Sequence, residues 1–178
     1  MSGMDDATYN QQLVRECGRL EEDVLHTEKG HFTAARRLRS VHLALGIIAT
    51  TGAVIAGARA FSSGAGSKFA GVAGLTAALV TAISTFAKPQ ELADNHHKVG
   101  TRYAALRGRL RRFRELTLLQ DQPEPGAHQA ALEALADQKA ELDTAGPSIP
   151  RYAYVGARRS IEEGEAEYKE DRGRGRAA

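Results

Sequence analysis

The sequence predicts an all-α protein: a two-helix transmembrane hairpin continued into a cytosolic antiparallel coiled-coil or helical bundle. Three observations predict it. Two uncharged apolar runs, Val41–Ala58 and Phe69–Ala87, lie close together in the chain. Heptad spacing flanks them on both sides. Charged residues make up 26% of the chain yet are absent from both runs, so polarity is segregated rather than mixed.

Residues 1–8 are polar and acidic and are expected to be disordered. A cytosolic helix follows over 9–40, with Leu13, Cys17, Leu20, Val24, Thr27, His31, Ala34 and Leu38 at steps alternating four and three, as a coiled-coil seam requires. The spacing continues through Val41, Leu45, Ile48, Gly52 and Ile55, so 9–40 and the first span, 41–58, read as one helix. Gly18 and Gly30 weaken it, each by about 1 kcal/mol against Ala.

The segment 59–68 (RAFSSGAGSK) has the Ser and Gly content of a turn. The second span is 69–87. Each run, as a helix, is roughly 27–28 Å long at about 1.5 Å per residue, close to the roughly 30 Å of bilayer hydrocarbon. In the second run Phe69, Val72, Leu75, Leu79, Ile83 and Phe86 share one face. Small residues occupy the opposite face. Large side chains suit lipid tails, and small ones let a neighbouring helix approach closely. The expected helix-packing stripe is Ala49, Ala53 and Gly57 on the first span, with Ala70, Gly74, Ala78 and Ala82 on the second. The alternative is a hairpin buried inside a soluble bundle, which the Ala, Gly and Thr content and His42 would permit.

Basic residues set the orientation. Lys29, Arg36, Arg37 and Arg39 precede the first span, and Lys88, Lys98 and Arg102 follow the second; the connecting segment holds Arg59 and Lys68. The positive-inside bias places both termini in the cytosol. Lipid is therefore the first expected partner.

A cytosolic helix over 88–120 begins at Pro89, which kinks or restarts it. Its seam is Leu92, His96, Val99, Tyr103, Leu106, Leu110, Phe113 and Thr117. The breaker Gln122–Gly126 precedes a third cytosolic helix over 127–145, with Leu132, Leu135 and Leu142 on one face. Gly146–Pro150 stops that helix. A fourth is predicted over 150–171, with Tyr154, Ile161 and Tyr168 at sevenfold spacing and an acidic far face. The tail 172–178 is expected to be disordered.

The residues show no specific catalytic constellation. There is no phosphate loop in a strand–helix context and no nucleophile elbow, so neither an enzyme nor a cofactor is expected. The single Cys17 excludes an internal disulfide and falls on the seam, where packing is its expected role. Glu28-x-x-His31 and Asp94-x-x-His97 resemble half of a two-metal helical-bundle site. Gly30 interrupts the first, Asp replaces Glu in the second, and the further Glu ligands cannot be identified, so no metal is expected. Arg107, Arg109, Arg111, Arg112 and Arg114 form the densest basic face. Nucleic acid would want interleaved aromatics that are missing here. The simpler expectation is a solvated face, partly neutralised by the acidic fourth helix.

The layout resembles a known family. A basic N-terminal helix, two spans with a short loop, Phe86-x-Lys88-Pro89, His96/His97, Gly100, Tyr103 and Leu106, and a late Ile149-Pro150 before the last helix are similar to SLATT proteins. These are two-transmembrane effector domains associated with SMODS nucleotidyltransferases and SLOG domains. The resemblance implies a membrane effector in a nucleotide-signalled conflict or antiviral system, one that oligomerises and permeabilises the membrane. It implies a homo-oligomer and a separate nucleotide-signalling or sensor protein, and it transfers no catalytic residue. If the protein forms a pore, Thr50, Thr51, Thr76, Thr81, Ser84 and Thr85 are the intramembrane candidates to line it. A membrane-anchored coiled-coil scaffold that recruits a cytosolic partner is the alternative function.

Overall fold

The computed structural model describes residues 6–62, 68–118 and 125–164. Among them every regular element is helical: α1 (Asp6–Ser62), α2 (Lys68–Ala87), α3 (Pro89–Phe113), a π-helical turn (Arg114–Leu118), α4 (Pro125–Ala145) and α5 (Arg151–Glu162). Two helical stretches are long and apolar enough to cross a membrane. The chain divides into two compact units.

The first unit contains the chain up to Ala34 and from His96 onward. Its core is Leu13, Cys17 and Val24 of α1, Tyr103, Leu106 and Leu110 of α3, Leu118 of the π turn, and Leu132 of α4. Leu20, Val99, Phe113, Leu135 and Leu142 pack against this core. The four–three alternation of apolar residues on α1 and α3 is what lines them up. Glycine sets the closeness of approach: a Cβ on Gly100 would stand 3.1 Å from the Phe32 ring and 3.3 Å from the His31 Cβ.

Register changes at the end of α3. A heptad continued from Phe113 would bury Thr117. The π turn adds one residue to the local repeat, and Leu118 becomes the buried residue. The Asn10 side-chain amide donates to the Leu118 carbonyl at 3.0 Å, which satisfies part of the widened turn.

The last helix differs from its expected form in length and in face. Glu163 and Gly164 (φ 80°) close the helix after Glu162, with backbone bonds from Glu163 N to Arg159 O and from Gly164 N to Ile161 O, both 2.9 Å. Helix α5 thus ends at Glu162, and residues 165–171 of the expected helix lie outside the described residues. The seam is also not the tyrosine ladder. Ala153 and Ala157 are buried, whereas Tyr154 is 54% exposed. Alanine faces inward because α5 lies close to α1; a Cβ on Gly156 would stand 3.1 Å from Thr33 Cγ2. Tyr168 and the tail 172–178 lie outside the described residues.

Other boundaries shift slightly. Helix α1 already includes residues 6–8, within the segment expected to be disordered, and it continues to Ser62, shortening the expected turn 59–68. Residues 63–67 of that turn lie outside the described residues. Helix α4 starts at Pro125, two positions before the expected 127, because proline is well suited to a first helical turn.

The second unit is residues 35–95, the end of α1 together with α2 and the start of α3. Its two long helices meet through very small side chains. A Cβ on Gly52 would lie 3.1 Å from the Ala73 carbonyl oxygen and 3.3 Å from the Ala77 Cβ; one on Gly74 would lie 3.7 Å from the Ala56 Cβ. Lys88, at φ 42°, takes the left-handed conformation that separates α2 from α3. Pro89 then supplies a first residue needing no donor. Ala35 and Ala93 are buried within this unit, and Arg39 Nη2 pairs with Asp94 Oδ1 at 3.3 Å.

Candidate functional site: an apolar surface left uncovered

The second unit covers little of its apolar surface. No residue in the most apolar stretch of α1 is buried, and the buried residue of α2 is Ala77. Phe69, Leu75 and Phe86 are 80%, 73% and 88% exposed. Val72, Leu79 and Ile83 on α2 are exposed with them, as are Leu43, Ile47, Val54 and Ile55 on α1. Soluble monomers seldom leave contiguous apolar patches of this kind. The buried-hairpin alternative requires these side chains to be packed inside the chain's own fold, and they are not.

The seam sits slightly away from the predicted stripe. Ala49, Gly57, Ala70 and Gly74 are half-buried, while Ala53, Ala78 and Ala82 are exposed. Gly52, Ala56, Ala73 and Ala77 take the central places. Small residues cover a wider arc of α2 than one neighbouring helix needs. Gly52 favours the part of that arc that is used, since a Cβ there would stand 3.1 Å from the Ala73 carbonyl oxygen and force it to give way by a few tenths of an ångström.

Three of the expected pore-lining hydroxyls are satisfied within their own helix. Thr76, Thr81 and Thr85 donate to the carbonyls of Val72, Ala77 and Thr81 at 2.9, 2.8 and 2.9 Å. Such back-bonding lets threonine sit in hydrocarbon without a water partner. Thr50 and Thr51 are exposed and Ser84 is half-buried. The candidates do not share a face. Thr76 and Thr81 are five positions apart, about 140° around a helix at about 100° per residue.

The basic face is mostly drawn into the first unit. Arg107 Nε lies 2.9 Å from Glu28 Oε2, and Arg114 Nη1 lies 2.6 Å from Glu21 Oε2. Neither carboxylate oxygen has an aligned hydrogen bond, so charge holds these contacts. Burial raises the Glu28 pKa, against the opposing pull of Arg107 and Lys29. Arg109 donates to Gln138 Oε1 at 3.1 Å, Arg111 is half-buried, and Arg112 is exposed. Among the described residues, the carboxylates that meet Arg107 and Arg114 come from α1 and, for Arg114, also from Glu115 of the π turn. Glu162 and Glu163 pair with Arg158 and Arg159 of their own helix, and Glu165, Glu167 and Glu170 lie outside the described residues. Helical spacing locates charges but does not say which neighbouring helix supplies their partners.

Among the described residues, no group of three or more His, Cys, Asp or Glu is placed to hold a metal ion. Glu28 is committed to Arg107, and His97 is exposed beside Phe32. Instead, the structure brings together a buried polar group that spacing alone did not announce. His31 Nδ1 and His96 Nδ1 are 2.9 Å apart. The Tyr103 ring stacks on His31 with centroids 5.6 Å apart, and its hydroxyl donates to Asp143 Oδ1. Lys139 Nζ completes the network, 2.8 Å from Asp143 Oδ2 and 3.5 Å from Asp23 Oδ2.

Cys17 is fully buried, and its Sγ lies 3.5 Å from the Leu110 carbonyl. Burial pushes its thiol up to about 11, with Glu21 adding to the rise and Arg114 opposing it. Because the thiolate is the reactive form, the native protein should resist maleimide at pH 8 and react fully once denatured. Mass spectrometry of the adduct checks this; rapid native labelling would show that the core around Leu110 opens readily.

Comparison with protein-family models, with curated proteins and with solved structures found no match.

Proposed function

We propose that this chain is an integral membrane protein of the SLATT type, its α1–α2 pair inserted as a transmembrane hairpin and its first unit in the cytosol with both termini. In this reading it is an effector that self-associates in the bilayer and permeabilises it in response to a separate nucleotide-signalling protein. The observation that carries the membrane part is the uncovered ring of large apolar side chains around a seam of small ones. Each exposed side chain finds an apolar neighbour only if lipid or another copy surrounds it. The basic residues at the ends of the apolar stretches support the orientation. Ala78 and Ala82, left out of the intrachain seam, support close approach by a second copy.

One observation favours the scaffold reading instead. The Thr76, Thr81 and Thr85 hydroxyls already have backbone acceptors, so they do not require a water-filled lumen. Reconstitution separates the two readings. Proteoliposomes loaded with a self-quenched dye and carrying the purified chain should leak when the activating nucleotide system is added. Persistent impermeability, together with capture of a cytosolic partner by the intact membrane protein, would replace the effector with the scaffold.

A further inference from the structure

The first unit buries a titratable pair where α1 meets α3. His31 is 2% and His96 is 4% exposed. Their facing Nδ1 atoms, 2.9 Å apart, can share a hydrogen bond only if one carries a proton and the other does not. We propose that His31 and His96 form an acid-sensitive latch between α1 and α3, closed while their Nδ1 atoms hold one proton between them and opened when both carry one. This inference concerns the first unit alone and does not rest on the membrane reading.

The surroundings offer little to stabilise a second proton. From α1, Glu28 is taken by Arg107 of α3. From α3, Tyr103 stacks on His31 and directs its hydroxyl to Asp143. From α4, Asp143 favours charge on His31, but Lys139 and the Tyr103 hydroxyl already engage its oxygens. Lys139 is itself a cation, shared with Asp23. A Cβ on Gly146 would stand 3.8 Å from the His31 ring, so that side is occupied by backbone. Helix α5 reaches α1 at Thr33, and its Arg158–Glu162 and Arg159–Glu163 pairs are exposed.

Burial lowers the His31 pKa to about 4, with His96 adding to the drop and Asp143 opposing it; burial also lowers that of His96. A base whose folded pKa is depressed stays neutral in the native state while the unfolded chain takes up protons. Its contribution is therefore present above the unfolded value of about 6.5 and is lost as pH falls from there toward about 4.

The full chain in detergent micelles, with histidine ¹⁵N-labelled, tests this directly. Long-range ¹H–¹⁵N spectra at pH 7 should show His31 and His96 both neutral, one as the Nδ1–H and the other as the Nε2–H tautomer. Below about pH 5, amide exchange in α1 around His31 and in α3 around His96–Gly100 should accelerate at least tenfold after correction for intrinsic rates. Exchange around Cys17 and Leu110 should not. His96→Asn keeps a hydrogen-bonding group and removes one titration, so its acid-induced acceleration should shrink. Identical tautomers on both rings, ordinary titration of either in the wild type, or an unchanged acid response in a folded His96→Asn protein would overturn the proposal. The wild-type spectra decide the matter even if that variant fails to fold.

Discussion

The double variant Leu75→Arg/Leu79→Arg should lose stable membrane association. Both side chains are exposed on α2, near its middle. In a soluble protein, replacing exposed leucine with arginine would be nearly neutral and would aid solubility. At the centre of a bilayer each arginine costs about 2.5–3.5 kcal/mol on insertion scales, hence about 5–7 kcal/mol for the pair if the costs add. Snorkelling toward the interface reduces this figure. Wild-type protein should remain in the pellet when membranes are washed with alkaline carbonate, and the double variant should be released or degraded. Gly64, in the Ser- and Gly-rich sequence between the two apolar runs, provides the matching control: arginine there should leave the protein in the pellet, because a polar segment tolerates charge. Equal retention of wild type and Leu75→Arg/Leu79→Arg would mean that this face does not meet hydrocarbon.

The second large effect should come from Gly52→Leu. The space at Gly52 is already filled by the Ala73 carbonyl and the Ala77 methyl, and a backbone oxygen cannot swing aside as a flexible side chain can. The two helices must separate, and overpacking of this sort costs about 1–3 kcal/mol. A cross-link reads the separation without relying on unfolding. The Cβ built at Gly74 stands 3.7 Å from the Ala56 Cβ, close to the mean of about 3.8 Å found in disulfides. Ala56→Cys/Gly74→Cys should therefore oxidise readily, and adding Gly52→Leu should slow that oxidation at least tenfold. Cys17 should stay out of the reaction because it is buried and protonated. Unchanged cross-linking would show that the seam has enough slack to accept leucine.

Much of the helical fold was legible because heptad spacing and uncharged length are properties of the chain itself. Leu13, Cys17 and Val24 fall in the core with Tyr103, Leu106 and Leu110 because the same alternation runs along both helices. What spacing could not show was anything set by a partner. The π turn moved burial from Thr117 to Leu118, which no periodicity at fixed pitch anticipates. In α5 the apolar tyrosines looked like a seam, yet close approach to Thr33 favours Ala153 and Ala157 there. The arginines from 107 to 114 were visible as a cluster, but the carboxylates that meet Arg107 and Arg114, Glu28 and Glu21, lie on a helix some eighty to ninety residues earlier. The His31–His96 pair was hidden for the same reason: each histidine was a heptad position, and the 2.9 Å contact follows only when two seams face each other. Of the small-residue stripe expected on α2, Ala70 and Gly74 are half-buried while Ala78 and Ala82 are exposed, because alanine and threonine mark a broader arc than one neighbouring helix covers.

A transmembrane hairpin requires lipid around the outer faces of α1 and α2. A nitroxide attached at Leu79→Cys, in protein reconstituted into liposomes, tests this most directly, with Cys17 left in place because it should not label. Oxygen concentrates in hydrocarbon, whereas a polar nickel chelate stays in water. In a membrane-inserted hairpin the label should relax fast with oxygen and hardly at all with the chelate, with the reverse for a label at Arg112→Cys on the exposed side of α3. A Leu79 label that the chelate reaches as readily as the Arg112 label, or that neither reagent reaches, would contradict insertion.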